Sequence, residues 1–512
     1  MDLGYMLRRA AAEYGSHPAV SDGTATLTFR AVSDRATRLI NALSSLGVRP
    51  RERVAVLLRN RIEYAEVDVA LARGGFTRVA LNVRLGTEDF SYCFADADVR
   101  ALITEEDFDA TAAELTARHG VPWIRMGGDL PSAAASDYET LLGNASTAVS
   151  DPPGNPDLAA WFSYTSGTTG RPKGVVLSHR ALCHVVYNLA LEFHPMSDRG
   201  SFLFPQPLSH GSGYFMLACL ATGTTSYLMD KFDPQEAIDL GTRHRIHTLK
   251  LVPTMLTSII DLDRDVPFKT MIYGASPINP SQLQRALDRV GPILMQTYGQ
   301  SEAPCTITVL RKHEHEGNGP ERFAAGRPWR TVQTAIVNED GAPVADGEPG
   351  ELILRGPHLM DGYYNLPAET AEVLRDGWLW TKDVARTDEH GFVYLLGRRD
   401  QMINSGGFNV APAEIEAIVG QHPAVRAVVA FGMPDPRWGE AVAVAVAAAD
   451  NMEVNGAELI EFCREPLGFR RPRHVFFVDS IPHSAYGKVD RRALRAMIAE
   501  QGQGALDGPR SA

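Results

Sequence analysis

Two hydrophobic periods alternate along the chain from its first residues. FRAVSDRATRLINALSSLGV, residues 29–48, repeats apolar positions at three-to-four spacing and ends at a glycine, which predicts a helix. ERVAVLLRN then reads as a buried strand and YAEVDVALARGGF as a second helix, while VRALITEED and TTSYLMD predict further short buried strands. Repeated alternation of this kind predicts layered α/β architecture with largely parallel sheets. ASTAVSDPPGNPD, residues 145–157, is a polar, proline-rich break predicted to be a loop.

Near residue 400 the texture changes. GFVYLLGRRDQ predicts a strand pair running into a charged turn, APAEIEAIVGQHPAV and GAELIEFCREPL predict helices, and AVRAVVAFGMP and EAVAVAVAAAD predict strands. These stretches form a self-contained α+β unit of about a hundred residues. The expected domains are 1–400 and 401–500, with a disordered tail over 501–512, where QGQGALDGPRSA has no apolar pattern.

Composition narrows the function. The 512 residues exceed the span of one hydrophobic core. Hydrophobic residues at 44% and charged residues at 22% are ordinary for a soluble globular protein. The net charge of −12, from 50 basic and 62 acidic residues, argues against a nucleic-acid or anionic-membrane binder. Cys93, Cys183, Cys219, Cys305 and Cys463 follow no metal or disulfide spacing, so they read as reduced, mostly buried thiols. The N-terminus lacks the apolar core of a signal peptide, and no apolar run is long enough to cross a bilayer. A cytoplasmic protein is expected.

Chemistry enters at YTSGTTGRPKG, residues 164–174, directly after the apolar run LAAWFS. Glycines let a backbone approach a polyphosphate, hydroxyls and amides donate to it, and a lysine adds a point charge. The Walker spacing fails, because counting from Gly167 lands on Pro172, and the G-x-G-x-x-G fingerprint is absent. Taken alone, the loop also admits a plainer reading, a solvated turn whose hydroxyls cap a helix starting near His179.

The longer string YTSGTTGRPKGVVLSH resembles the signature of the adenylate-forming enzymes, a family of acyl-CoA synthetases, adenylation domains and luciferases. Further motifs follow in the family's order, so the resemblance spans nearly the whole chain. It implies a large N-terminal domain of layered α/β sheets with a β-barrel-like subdomain, and a small mobile α+β C-terminal domain. It also implies that Thr165, Ser166, Gly167, Thr168, Thr169, Gly170 and Lys173 cradle the β- and γ-phosphates of ATP. MQTYGQSEAP is similar to the family's adenine and metal motif. There Tyr298 would stack on adenine beside Gly299 and Ser301, and Glu302, with Thr165, would hold Mg2+. YGASPI resembles the turn lining the adenine and acyl pockets, with Gly274, Ala275 and Ser276. In GWLWTKDVA the ribose-binding position is Asp383, with Arg398 as an added donor, but Lys382 stands where the family has glycine. GRRDQMINSGGFNVAPAEIE resembles the interdomain hinge, here at Gln401 rather than Asp or Lys. IPHSAYGKVDRRALR resembles the C-terminal catalytic motif, with Lys488 bridging the carboxylate and the α-phosphate.

A carboxylate is a poor electrophile, because its leaving group would be oxide. The resemblance implies attack on the α-phosphate of ATP, giving an acyl-adenylate whose AMP leaves readily, with cations and amides stabilising phosphoryl charge. The small domain then rotates and CoA supplies the thiol, for which Gly406, Gly407, Trp438, Phe469 and Arg471 stand at matching positions. The acyl pocket is expected around Ser212 and Met216, with His210 as a gate beside the carboxylate. Lys250 is a lone cation in the apolar strand IHTLKLVP, which calls for a polar or anionic substituent on the acid, or for snorkelling at a strand edge. An acceptor other than CoA (a carrier protein, an amine or another nucleophile) and a non-catalytic nucleotide binder are the competing readings. A homodimer is left open.

Overall fold

Apolar runs too long to be one-sided become strands buried on both faces. The computed structural model describes residues 2–149, 151–152, 154–165, 172–193, 200–317, 319–449, 452, 454–483 and 489–501. Its first sheet has eight strands, in the spatial order Gly362–Tyr363, Lys173–Ser178, Ala159–Thr165, Thr77–Ala80, Arg53–Leu57, Val99–Glu105, Trp123–Met126 and Ala135–Asp137. Pairing is parallel from Ala159–Thr165 onward and antiparallel at the other edge. The second sheet has nine strands, and its centre runs Leu294–Tyr298, Thr270–Gly274, Thr248–Leu251, Ser201–Phe204, Thr225–Leu228, all parallel. Helices Phe29–Ser45, Glu63–Gly74, His179–Glu192 and Gly211–Thr222 share one buried cluster with strands of both sheets. The layered, largely parallel α/β expectation holds.

The barrel-like part is built on a five-stranded antiparallel sheet containing Gln333–Val337, Gly350–Arg355, Trp378–Thr387 and Val393–Arg398. From Ile403 onward the chain forms a separate five-stranded sheet, with Val425–Asp435 and Gly439–Ala448 as its longest pair. Apolar clusters cover its two faces, one around Ile415, Val419 and Leu459 and one around Phe431, Phe476 and Leu494.

Three local expectations are corrected. GFVYLLGRRDQ contains one strand, Val393–Arg398, whose partner Trp378–Thr387 lies upstream, followed by the 3-10 turn Arg399–Gln401. The helix expected over residues 411–425 ends at Val419, and Val425 already begins a strand. GAELIEFCREPL splits into Gly456–Phe462 and Arg464–Leu467. Pro466 explains the split, since it has no N–H to reach the carbonyl of Phe462 and its ring crowds that carbonyl. Most of the tail expected to be disordered lies outside the described residues.

Parallel strands collect their carboxyl ends on one side, where α/β folds bind ligands. Thr270–Gly274 ends there at the YGAS turn and Leu294–Tyr298 at YGQSE.

Candidate active site

The phosphate-loop candidate closes a hairpin. Ala159–Thr165 and Lys173–Ser178 pair antiparallel with Thr165 opposite Lys173, so both ends of the loop are pinned. Ser166, Gly167, Thr168, Thr169 and Gly170 lie outside the described residues, as does Lys488. A helix does start at His179, but Ser178 caps it, accepting from Ala181 N at 3.4 Å.

Lys173 faces a partner absent from the sequence-level reading. Its ammonium lies 5.1 Å from the ring centroid of Tyr363. The Tyr363 hydroxyl donates to Glu302 Oε1 at 2.7 Å. Burial, then the Glu302 carboxylate, pushes that phenol well above its ordinary pKa, so it stays a donor. Tyr363 reaches this place because Gly362–Tyr363 pairs with the strand that begins at Lys173. One ring therefore joins the loop cation to the candidate magnesium carboxylate. Glu302 itself sits in a bend, its carbonyl accepting from Met360 N at 2.9 Å.

The nucleotide side is built around Asp383. Its Oδ2 accepts from the Tyr298 hydroxyl and from Gln300 Nε2 at 2.7 Å, and Arg398 Nη1 lies 3.3 Å from Oδ1. Asp383 and Arg398 are directly opposed on neighbouring strands, which fixes that pair through the backbone. Tyr298, pushed far up by burial and by Asp383, is likewise a donor. Gly299 is required by packing, since a Cβ there would lie 2.6 Å from Cys305 Cα. Gly274 pairs opposite Thr297 at the adjoining strand end, Ala275 follows with φ +71°, and Ser276 and Ser301 are half-buried beside them. Lys382 keeps the left-handed backbone expected of the glycine it replaces, with φ +61°, and its N–H donates to Glu351 Oε1 at 2.9 Å.

On the acid side, His210 precedes helix Gly211–Thr222, with Ser209 Oγ 2.7 Å from its Nδ1. Burial first, then Arg84 and Arg78, lowers it to about 4, so it is a neutral imidazole near pH 7. Ser212 is buried and donates to Gln206 Oε1 at 2.9 Å, and Met216 is fully buried. Lys250 is 4% exposed, its ammonium 5.2 Å from the Phe215 centroid. Cys305 closes this side, with Sγ 3.6 Å from the Gly211 carbonyl.

In the C-terminal unit, Gln401 ends the 3-10 turn and is half-exposed. The hairpin turn carries Gly406 at φ +63° and Gly407 at φ +82°. A Cβ on Gly406 would sit 2.9 Å from Trp438, whose carbonyl accepts from Gly406 N at 2.8 Å. Phe469 stacks obliquely on Phe408 at 4.8 Å, both largely exposed. Arg471 bonds back to the Gly468 carbonyl at 3.0 Å, whereas Arg473 and Arg437 lie over the Trp438 ring. Sequence reading missed Phe408, Arg437 and Arg473 here, and Tyr363, Gln300, Phe215 and Cys305 above. Gln300 and Cys305 lay within or beside a quoted motif, and the tyrosine pair of DGYYNLP was the available signal for Tyr363.

Among the described residues no group of three or more His, Cys, Asp or Glu is arranged to hold a metal unaided. Glu302 beside a phosphate loop fits Mg2+, which binds through one or two carboxylates with substrate phosphates supplying the rest.

Residues 7–364 match the AMP-binding enzyme family and residues 414–488 the AMP-binding enzyme C-terminal domain. A medium/long-chain-fatty-acid–CoA ligase of Mycobacterium tuberculosis is 35% identical, covering 97% of this chain and 90% of its own. A feruloyl-CoA synthase of Amycolatopsis is 35% identical, over 93% of this chain and 95% of its own. Among solved structures, the amide bond synthetase of Marinactinospora thermotolerans superposes with TM-score 0.88 at 29% identity, over 97% of this chain and 99% of that one. With both family domains matched in one chain, this protein belongs to the AMP-binding enzyme family and is an adenylate-forming ligase.

Proposed function

We propose that the protein uses ATP to convert a carboxylic acid into an acyl-adenylate with release of pyrophosphate, and then passes the acyl group to CoA, giving acyl-CoA and AMP. The observation that carries this reading is the Lys173–Tyr363–Glu302 chain beside the Asp383 cluster, which supports a phosphate site next to a nucleotide site. Thr165 to Gly170 and Lys173 hold the β- and γ-phosphates, Asp383 and Arg398 take the ribose, and Tyr298 and the Gly274–Ser276 turn border the base. Mg2+, held by Glu302 with help from Thr165, supplies charge neutralisation at the phosphates. Neutral His210 borders the acid and adds no competing charge. Lys488 closes from the C-terminal unit as attack on the α-phosphate builds negative charge. After the unit turns at Gln401, Gly406, Gly407, Trp438, Phe469 and Arg471 form the CoA passage. The aromatic and guanidinium groups there suit adenine and phosphate.

The likeness to an amide bond synthetase supports a second reading, in which an amine takes the acyl group. Exchange of labelled pyrophosphate into ATP, run over a panel of acids, tests the first half-reaction. AMP release with and without CoA tests the second. Exchange with at least one acid, abolished in Lys488→Ala only for the adenylation step, is the expected result. No exchange with any acid overturns adenylation, and AMP release indifferent to CoA but raised by amines replaces the acceptor.

A further inference from the structure

Lys250 occupies strand Thr248–Leu251, which lies between Ser201–Phe204 and Thr270–Gly274 in the middle of the nine-stranded sheet. Strand alternation separates its side chains. Leu249 and Leu251 join the apolar cluster of Met271 and Tyr273 on one face. Lys250 turns to the other, where Phe215 of helix Gly211–Thr222 is fully buried. Snorkelling at a strand edge is therefore ruled out, because both flanking strands are paired and the residue is 4% exposed.

Among the described residues nothing neutralises this cation. Among the described residues Lys250 makes no ion pair and no hydrogen bond, and its one charge-related neighbour besides the Phe215 ring is the Cys305 thiol. That thiol is pushed up to about 11 by burial and stays uncharged. A buried ammonium faced only by an aromatic ring and a thiol is costly, and a chain with no use for it would be more stable with leucine or methionine there. Its location gives the use. Phe215 and Met216 follow directly from Ser212 on the helix that His210 introduces, and Cys305 lies three residues after Glu302 with Sγ against the Gly211 carbonyl.

We propose that Lys250 determines substrate specificity by binding an anionic or strongly hydrogen-bond-accepting oxygen at the end of the acid remote from the carboxylate being activated. The substrates are then dicarboxylic acids or aryl acids with a ring oxygen substituent, and not plain alkyl chains. This rests on the adenylation reading above. Phe215 supplies the floor beneath the ammonium, and Cys305 a neutral wall that does not compete for it.

The test is pyrophosphate–ATP exchange with matched pairs of acids, octanedioate against octanoate and 4-hydroxycinnamate against cinnamate, for the natural protein, Lys250→Met and Lys250→Gln. The natural protein is expected to favour the oxygenated member of at least one pair by about 10- to 100-fold in kcat/KM, the range of a charge-assisted hydrogen bond. In Lys250→Met that preference falls to unity or inverts, with the loss mainly in KM, and Lys250→Gln keeps part of it. A purely structural role would change both members of a pair alike. A thermal melt of Lys250→Met at or above the natural protein excludes misfolding, and if it melts lower, Lys250→Gln carries the comparison. Exchange with ratios equal in all three proteins overturns the Lys250 assignment alone. No exchange with any acid overturns adenylation, and this proposal with it.

Discussion

Replacing Lys382 separates backbone strain from side-chain chemistry at the position where the proposed ribose-binding turn has lysine in place of glycine. The residue has φ +61° inside strand Trp378–Thr387. A left-handed conformation costs a residue with a Cβ about 1–2 kcal/mol. The turn holds because Lys382 N donates to Glu351 Oε1 at 2.9 Å, while Glu351, 6% exposed, also receives Arg399 Nη1 at 2.9 Å. The side chain contributes little, its Nζ standing 4.0 Å from an exposed Glu372. Lys382→Ala keeps the strain and loses that weak pair, which costs at most about 0.5 kcal/mol. Lys382→Gly relieves the strain but gains freedom in the unfolded chain, an offset of about 0.4–1 kcal/mol. Glycine should therefore exceed alanine by about 0.5–1 kcal/mol. At an ordinary strand site the order is the reverse. Urea midpoints of the two variants, compared at a common slope, measure the difference. Because Asp383 keeps its partners, the KM for ATP should stay within about two-fold in both. An alanine variant as stable as the glycine variant would refute the reasoning.

Tyr363→Phe leaves the ring over Lys173 but removes the donor to Glu302. A half-buried bond to a carboxylate is worth about 1.5 kcal/mol, so exchange of pyrophosphate should fall about 10-fold, and an unchanged rate would rule out the linkage. His358 is fully buried, and neither ring nitrogen has a hydrogen-bond partner among the described residues. Burial, then His184, lowers it to about 4 against an ordinary value near 6.5. The unfolded chain then binds the extra proton first, so stability is complete above about pH 6.5 and falls by about 3 kcal/mol as the pH drops to 4. His358→Leu should flatten that part of a urea-midpoint profile, and a parallel acid slope in the variant would remove His358 as its cause.

Periodicity made the layers legible, because helix and strand patterns are local properties of the chain. FRAVSDRATRLINALSS and RVAVL became the helix and strand they spelled out. The site was legible where a motif carried its own members, as Tyr298 and Glu302 do, and illegible where strangers meet. Tyr363 and Glu302 are 61 residues apart, and only the pairing of Gly362–Tyr363 with the strand after Lys173 brings them together. Arg473 rather than Arg471 covers Trp438 because residues two apart, with a proline between them, point by backbone geometry that composition does not encode. The break at Cys463 could have been read, since Pro466 was in view.

Backbone strain follows a pattern that packing alone does not produce. Among the described residues, eight non-glycine positions have positive φ. Asp98 and Arg245 close helices, Arg51 lies in a surface turn, and Asn365 and Asp376 are of the residue types that tolerate it. Ala275, Cys305 and Lys382 are not. Each costs of order 1–3 kcal/mol, and each lies on a different segment bordering the nucleotide and acid sites. Ala275 follows the strand that ends at Gly274, Cys305 follows Glu302, and Lys382 precedes Asp383. In each case a rigid neighbour holds the bend: strand end Thr297 for the first segment, the Gly211 carbonyl for the second, Glu351 for the third. Strain scattered at random would not meet at one cleft. On the proposed adenylation reading, it would aim Glu302 and Asp383 before substrate arrives, so that ordering these groups adds no cost to the step in which phosphoryl charge develops.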